Sequence, residues 1–127
     1  MRLLLDSHAF LWWVTADAAL GRRARAAIAD SRNECFLSHA SIWEMAIKAS
    51  LGKLRLPSSV ERFVVEHCAA NDFQLLSIAL AHIALVESLP FHHRDPFDRV
   101  LVAQARHEGM ALVSRDASLK AYGVSVI

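Results

Sequence analysis

A set of short, mostly apolar runs constrains this chain most, because each is the length of a strand and the most continuous of them suit strands covered on both faces. "RLLL" at 2–5 stops at Asp6, "CFLS" fills 35–38, "FQLLSI" 73–78, "MALVS" 110–114 and "VSVI" 124–127. A strand with one solvated face alternates apolar and polar residues, whereas a continuous run implies cover on both sides. Between the runs lie stretches of helical period at 7–17, 20–31, 41–52, from Pro57 to about 71, 79–89, 96–109 and 116–123. Their ends are punctuated by Gly52 and Gly109, and Pro96 stands just inside a helix start. Strands alternating with helices predict an α/β fold, a three-layer sandwich with a central, mostly parallel sheet of four to five strands. No linker, repeat or low-complexity stretch divides the 127 residues, so the expectation is one domain over 1–127.

Bulk properties remove several function classes. A formal net charge of +1 is too small for binding nucleic acid through overall charge, so any such binding needs a local patch. "GRRAR" at 21–25 and "KASLGKLR" at 48–55 are the candidates. The N-terminus has only three consecutive leucines before Asp6, short of a secretory leader and of the roughly 20 residues of a membrane span. Cys35 and Cys68 form no C-x-x-C pair and read as reduced, buried thiols, so a soluble cytoplasmic protein is expected. The glycines (21, 52, 109 and 123) make neither a G-x-G-x-x-G turn nor a P-loop, and there is no G-x-S-x-G elbow.

In a parallel sheet, ligands sit beyond the carboxyl ends of the strands. Asp6 closes the first strand, and Glu44 follows the second, past Ser38. Asp116 lies just past the strand ending at Ser114, and Asp98 opens the helix that feeds that strand. Four acids from four segments therefore reach one rim. Structural alternatives exist for most of them. Asp95, before Pro96, is favoured as a helix cap, whereas Asp98 at the third helical position is the better functional candidate. Glu44 completes an S-x-x-E capping box with Ser41, and Asp116 caps the short helix after it. Asp6 has the weakest alternative, because a carboxylate ending a buried strand needs a partner or an ion.

Gathered carboxylates raise one another's pKa. Arg99 and Arg115 are close enough in sequence to neutralise part of the cluster. A hard cation such as Mg²⁺ or Mn²⁺ fits better, since it takes oxygen ligands and keeps water for a phosphate substrate. His92 and His93 are adjacent and lack a second His/Cys set, which speaks against zinc; they read as loop residues at the margin of a substrate. "LLLDSHA" is similar to the start of aspartyl-phosphate hydrolases, but His8 stands where those have a second aspartate.

The chain resembles PIN-domain ribonucleases, and among them the VapC-type toxins of toxin–antitoxin systems. The resemblance runs end to end through "LLLDSHAFLWW", "LSHASIWEMAIKASLGKLRLP", "LPFHHRDPFDRVLVAQA", "LVSRD" and the final "YGV". It implies a PIN-like sandwich and an acidic quartet at Asp6, Glu44, Asp98 and Asp116. It also implies Mg²⁺- or Mn²⁺-dependent cleavage of RNA phosphodiesters, homodimerisation, and inhibition by a cognate antitoxin. Family members usually carry threonine after the first aspartate and often one two before the last; here Ser7 and Ser114 keep a hydroxyl in both places. On this reading Asp6, Asp98 and Asp116 hold the metal, and Glu44 is a ligand or orients the water. Asp95 is a possible accessory, and Arg99, Arg115 and Lys48 are candidate phosphate contacts beside Ser7 and Ser114. Trp12, Trp13 and Trp43 read as core, with a dimer seam or antitoxin groove as the alternative. Two competing functions are a small-molecule phosphohydrolase and a non-catalytic module whose acidic rim receives a basic peptide.

Overall fold

The structure, a computed structural model, describes residues 1–127. In chain order its main elements are β1 (Arg2–Leu5), α1 (Ser7–Val14), α2 (Arg22–Ala29), β2 (Glu34–Ser38), α3 (His39–Ser50), α4 (Val60–Asn71), β3 (Gln74–Leu76), α5 (Leu80–Ser88), α6 (Pro96–Glu108) and β4 (Ala111–Val113). The sheet has four parallel strands in the order β3-β2-β1-β4, as the alternation of runs and helices predicts. Leu4 faces Phe36 on one side and Leu112 on the other, which fixes the register of the two central pairings.

In β1, β2 and β4 the apolar runs have the expected cause, whereas β3, at the sheet edge, leaves Gln74 and Leu75 exposed. Leu3, Leu5, Leu37 and Val113 pack on one face of the sheet against Phe10, Ile28, Phe63, Val64 and Cys68. Leu4, Phe36 and Leu112 pack on the other face with Leu101, Val102, Ala105 and Tyr122. Cys35 and Cys68 are free and buried, and burial pushes the Cys35 thiol up to about 11. No helix is long and apolar enough to cross a membrane.

Several boundaries differ from the sequence reading. The first helix ends at Val14, not at 17. The second, expected over 20–31, is shortened to Arg22–Ala29, with Gly21 separating it from a 3-10 turn, Ala18–Leu20. α4 starts at Val60 under a Ser59 cap rather than at Pro57. The tail 124–127 forms a single parallel bridge, Leu112 to Val126, although Leu112 N–H donates to Ser125 O at 2.8 Å and Ile127 N–H to Leu112 O at 2.9 Å.

α3 carries the largest correction. It begins at His39, with Ser38 as the cap: the Ser38 hydroxyl accepts from Ala40 N–H at 3.0 Å and donates to the buried Gln104 Oε1 at 2.5 Å. Ser41 lies inside the helix and is buried, so the S-x-x-E box does not form and Glu44 is released for other work.

Candidate active site

The chain crosses from β3, at one edge, to β4 on the far side of β1, which makes the carboxyl end of β1 and β4 a switch point. A cavity of about 410 Å³ opens there, and Asp6, Glu44, Asp98 and Asp116 all line it.

Asp6 leaves the end of β1 and caps α1, its Oδ1 accepting from Ala9 N–H at 2.8 Å. Burial raises its pKa, the nearby Glu44 charge adds to the rise, and hydrogen bonds from Ala9 and Ser114 and the charge of His8 oppose it. Glu44 projects from α3 and is held twice, by the Ser7 hydroxyl at 2.7 Å and by Lys48 Nζ at 3.2 Å, one helical turn on.

Asp98 stands in the first turn of α6. Desolvation, reinforced by the Asp95 charge and opposed by His93, pushes its carboxyl up to about 6. Asp95 is the cap that its place before Pro96 predicts, accepting from Phe97 N–H at 2.8 Å and Asp98 N–H at 3.1 Å. Asp116 caps the 3-10 segment Ala117–Tyr122. Its carboxyl titrates below the usual range, first because the Ser118 hydroxyl donates to it, with His93 helping.

The two serines after strand ends serve the carboxylates directly. Ser7 binds Glu44, while the Ser114 hydroxyl bonds Asp6 and accepts from Asp116 N–H at 3.1 Å. Lys48 and Arg115 line the cavity. Arg115 is anchored by a 2.7 Å bond from its Nη1 to Ala19 O, alongside Gly21, where a β-carbon would lie 3.3 Å from that nitrogen.

Arg99, expected as a phosphate contact, is turned away from the cavity. It is only 6% exposed, and its guanidinium donates to the carbonyls of Pro90 at 2.8 Å, Leu89 at 3.2 Å and Val86 at 3.3 Å. It braces the loop before α6 and neutralises none of the four acids.

His93, which the sequence placed at the margin, sits among them. Its Nδ1 accepts from Asp95 N–H at 3.3 Å, so Nε2 carries the hydrogen and donates to Asp116 Oδ2 at 2.8 Å, with Asp98 Oδ2 at 3.6 Å. His93, Asp98 and Asp116 form the tightest set of metal-type donors at this rim, their ligand atoms all within 4.8 Å of one another. The only local signal for this was the position of His93 two residues before the Asp95 cap. Trp43 departs from the expected core: it is 59% exposed, edge-on to Phe97 at 5.2 Å.

The arrangement is a cavity ringed by carboxylates with no guanidinium paired to them, the setting in which a divalent cation relieves mutual repulsion. A family model described as PIN domain matches residues 3–124. The chain belongs to the PIN-domain family. Ribonuclease VapC22 of Mycobacterium tuberculosis is 30% identical to this PIN domain over 123 residues, 94% of this chain and 91% of the relative. Among solved structures, a chain of VapBC2 from Rickettsia felis bound to a promoter DNA fragment superposes with a TM-score of 0.74 at 10% identity, covering 100% of this chain and 98% of that one. A chain of FitAcB from Neisseria gonorrhoeae gives 0.64 at 17% identity, covering 98% and 96%. At such identities these two likenesses speak for the fold, and they agree with the three-layer PIN sandwich described above.

Proposed function

We propose that this PIN domain is a divalent-metal-dependent endoribonuclease of the VapC type, the toxin of a toxin–antitoxin pair. The observation that carries the reading is the set of Asp6, Asp98 and Asp116 in one cavity with no lysine or arginine paired to them: Lys48 pairs with Glu44, Arg115 Nη1 is held by Ala19 O and Arg99 by backbone carbonyls, so the charge of the three aspartates is left to a cation. The 30% identity to a protein named as a VapC ribonuclease supports RNA as the substrate.

The donor set fits Mg²⁺ or Mn²⁺, being oxygen-rich, partly desolvated and open to the cavity. Asp6, Asp98 and Asp116 would hold the ion. When bound, it supplies positive charge that acidifies water and draws charge from the phosphate. Lys48 and Arg115 contact phosphate oxygens and set the backbone across the rim. Glu44, with one oxygen on Ser7 and the other on Lys48, orients the attacking water and takes its proton. The water oxygen bonds to phosphorus, the bond from phosphorus to the leaving nucleotide oxygen breaks, and that oxygen takes a proton from solvent.

The reading includes a cognate antitoxin and a second copy of the chain. The apolar stripe of Trp43, Ile47 and Leu51 along the exposed side of α3 supports such contacts. The direct test is cleavage of a single-stranded RNA in Mg²⁺ or Mn²⁺. Wild type should cut, EDTA should stop it, and Asp6→Asn should be inactive while still folded. Cutting that survives both EDTA and Asp6→Asn would contradict the assignment.

A further inference from the structure

We propose that the stacked rings of His8 and Trp12 form a shelf for one unpaired nucleobase beside the carboxylates. The inference rests on the ribonuclease reading of the same cavity and adds how the nucleotide is gripped. His8 and Trp12 are four residues apart on α1, hence on one helix face, and their rings lie 5.4 Å apart at 25°, nearly parallel. Both line the cavity that holds the four acids, and Trp12 is the one hydrophobic residue among the 11 that line it.

The adjacent tryptophans divide the work. Trp13 faces the other way, its indole N–H donating to Asn71 Oδ1 at 2.9 Å and its ring packing near Phe73. Trp12 packs partly on the core, while His8, stacked on it, is exposed. A flat apolar surface in an otherwise charged cavity matches the one flat apolar part of a nucleotide. Lys48 and Arg115, which line the same cavity, match its phosphates.

Aromatic stacking is open to every base but closed to bases already stacked in a duplex. The shelf therefore selects single strands and tolerates sequence, with purines gaining most from their larger ring area.

The experiment uses the full chain in Mg²⁺ and a series of single-stranded RNA oligonucleotides in which one abasic nucleotide is walked past the cleavage site. Wild type should show KM raised about tenfold at one position of the abasic residue, with kcat little changed. His8→Ala, a change at an exposed site, should raise KM about tenfold on the intact strand and lose sensitivity at that position alone. The His8 charge also faces Asp6. His8→Phe, which keeps the ring without the charge, should restore most of the wild-type KM and so separate stacking from electrostatics.

Equal abasic profiles for wild type and His8→Ala, or no rescue by His8→Phe, overturn the shelf and leave the nuclease standing. A wild type that cuts none of the oligonucleotides overturns both.

Discussion

Replacing Asp98 by asparagine is expected to stabilise the metal-free protein at neutral pH and to remove its response to divalent ions. Unfolded, the carboxyl titrates near 3.8; in the fold, burial and then the Asp95 charge hold it at about 6. A carboxyl with a raised folded pKa favours the fold fully below the unfolded value, and that contribution is lost as pH climbs through the folded one. The loss therefore falls between pH 3.8 and about 6 and is complete at pH 8. Two pK units at 1.36 kcal/mol each set a ceiling of roughly 3 kcal/mol. The Asp98 side chain is 25% exposed. Water therefore relaxes part of the strain, and a gain of about 1–2 kcal/mol, or about 3–8 °C in Tm for a chain of this size, is expected for the isosteric amide. Thermal unfolding in EDTA at pH 8 and pH 5 measures it, and the gap between variant and wild type should shrink at pH 5. Adding Mn²⁺ at about 100 times its Kd should then stabilise wild type by roughly 2.7 kcal/mol and the variant far less, reversing the order. A variant no more stable than wild type at pH 8 in EDTA, or a gap indifferent to pH, would refute the electrostatic reasoning.

Three further outcomes follow from the same structure. Arg99→Ala removes the charged donor that holds the Val86 carbonyl of α5 and the Leu89 and Pro90 carbonyls after it, and should cost on the order of 3 kcal/mol in urea unfolding; a loss under 1 kcal/mol would show that the segment does not depend on it. Ser38→Ala removes the α3 cap and leaves Gln104 Oε1 without its hydroxyl donor, so a loss of about 2 kcal/mol is expected by the same method. His93→Ala should weaken Mn²⁺ binding about 10- to 100-fold by calorimetry, because Asp116 loses the donor on its Oδ2, and His93→Gln should recover part of it.

The sheet was legible in the sequence because buried parallel strands leave continuous apolar runs, and Leu3, Leu4 and Leu5 do pack alternately on both faces. The acids were legible for a related reason. Asp6 and Asp116 sit where a strand ends and a helix or 3-10 turn must be capped, and such positions are marked by local chemistry. Helix starts after strands were less legible: Ser38 and Ser41 both suit a cap, and the buried bond to Gln104, 66 residues away, distinguishes them. Arg99 and His93 were misjudged because their partners are distant or non-repetitive. Arg99 follows Asp98 in sequence, but one residue is about 100° around a helix, which carries its guanidinium to the carbonyls of residues 86–93. His93 reaches Asp116 because Tyr122, through its hydroxyl, fixes the loop at His93 N–H at 2.8 Å, and no local pattern encodes that contact.

Crystals of the protein soaked in manganese and measured at the metal's absorption edge test the central claim most directly. An anomalous peak directly coordinated by carboxylate oxygens of Asp6, Asp98 and Asp116, in the cavity that Glu44 also lines, is the predicted result. A cavity free of anomalous signal at saturating manganese, with the four carboxylates still gathered around it, would contradict the account.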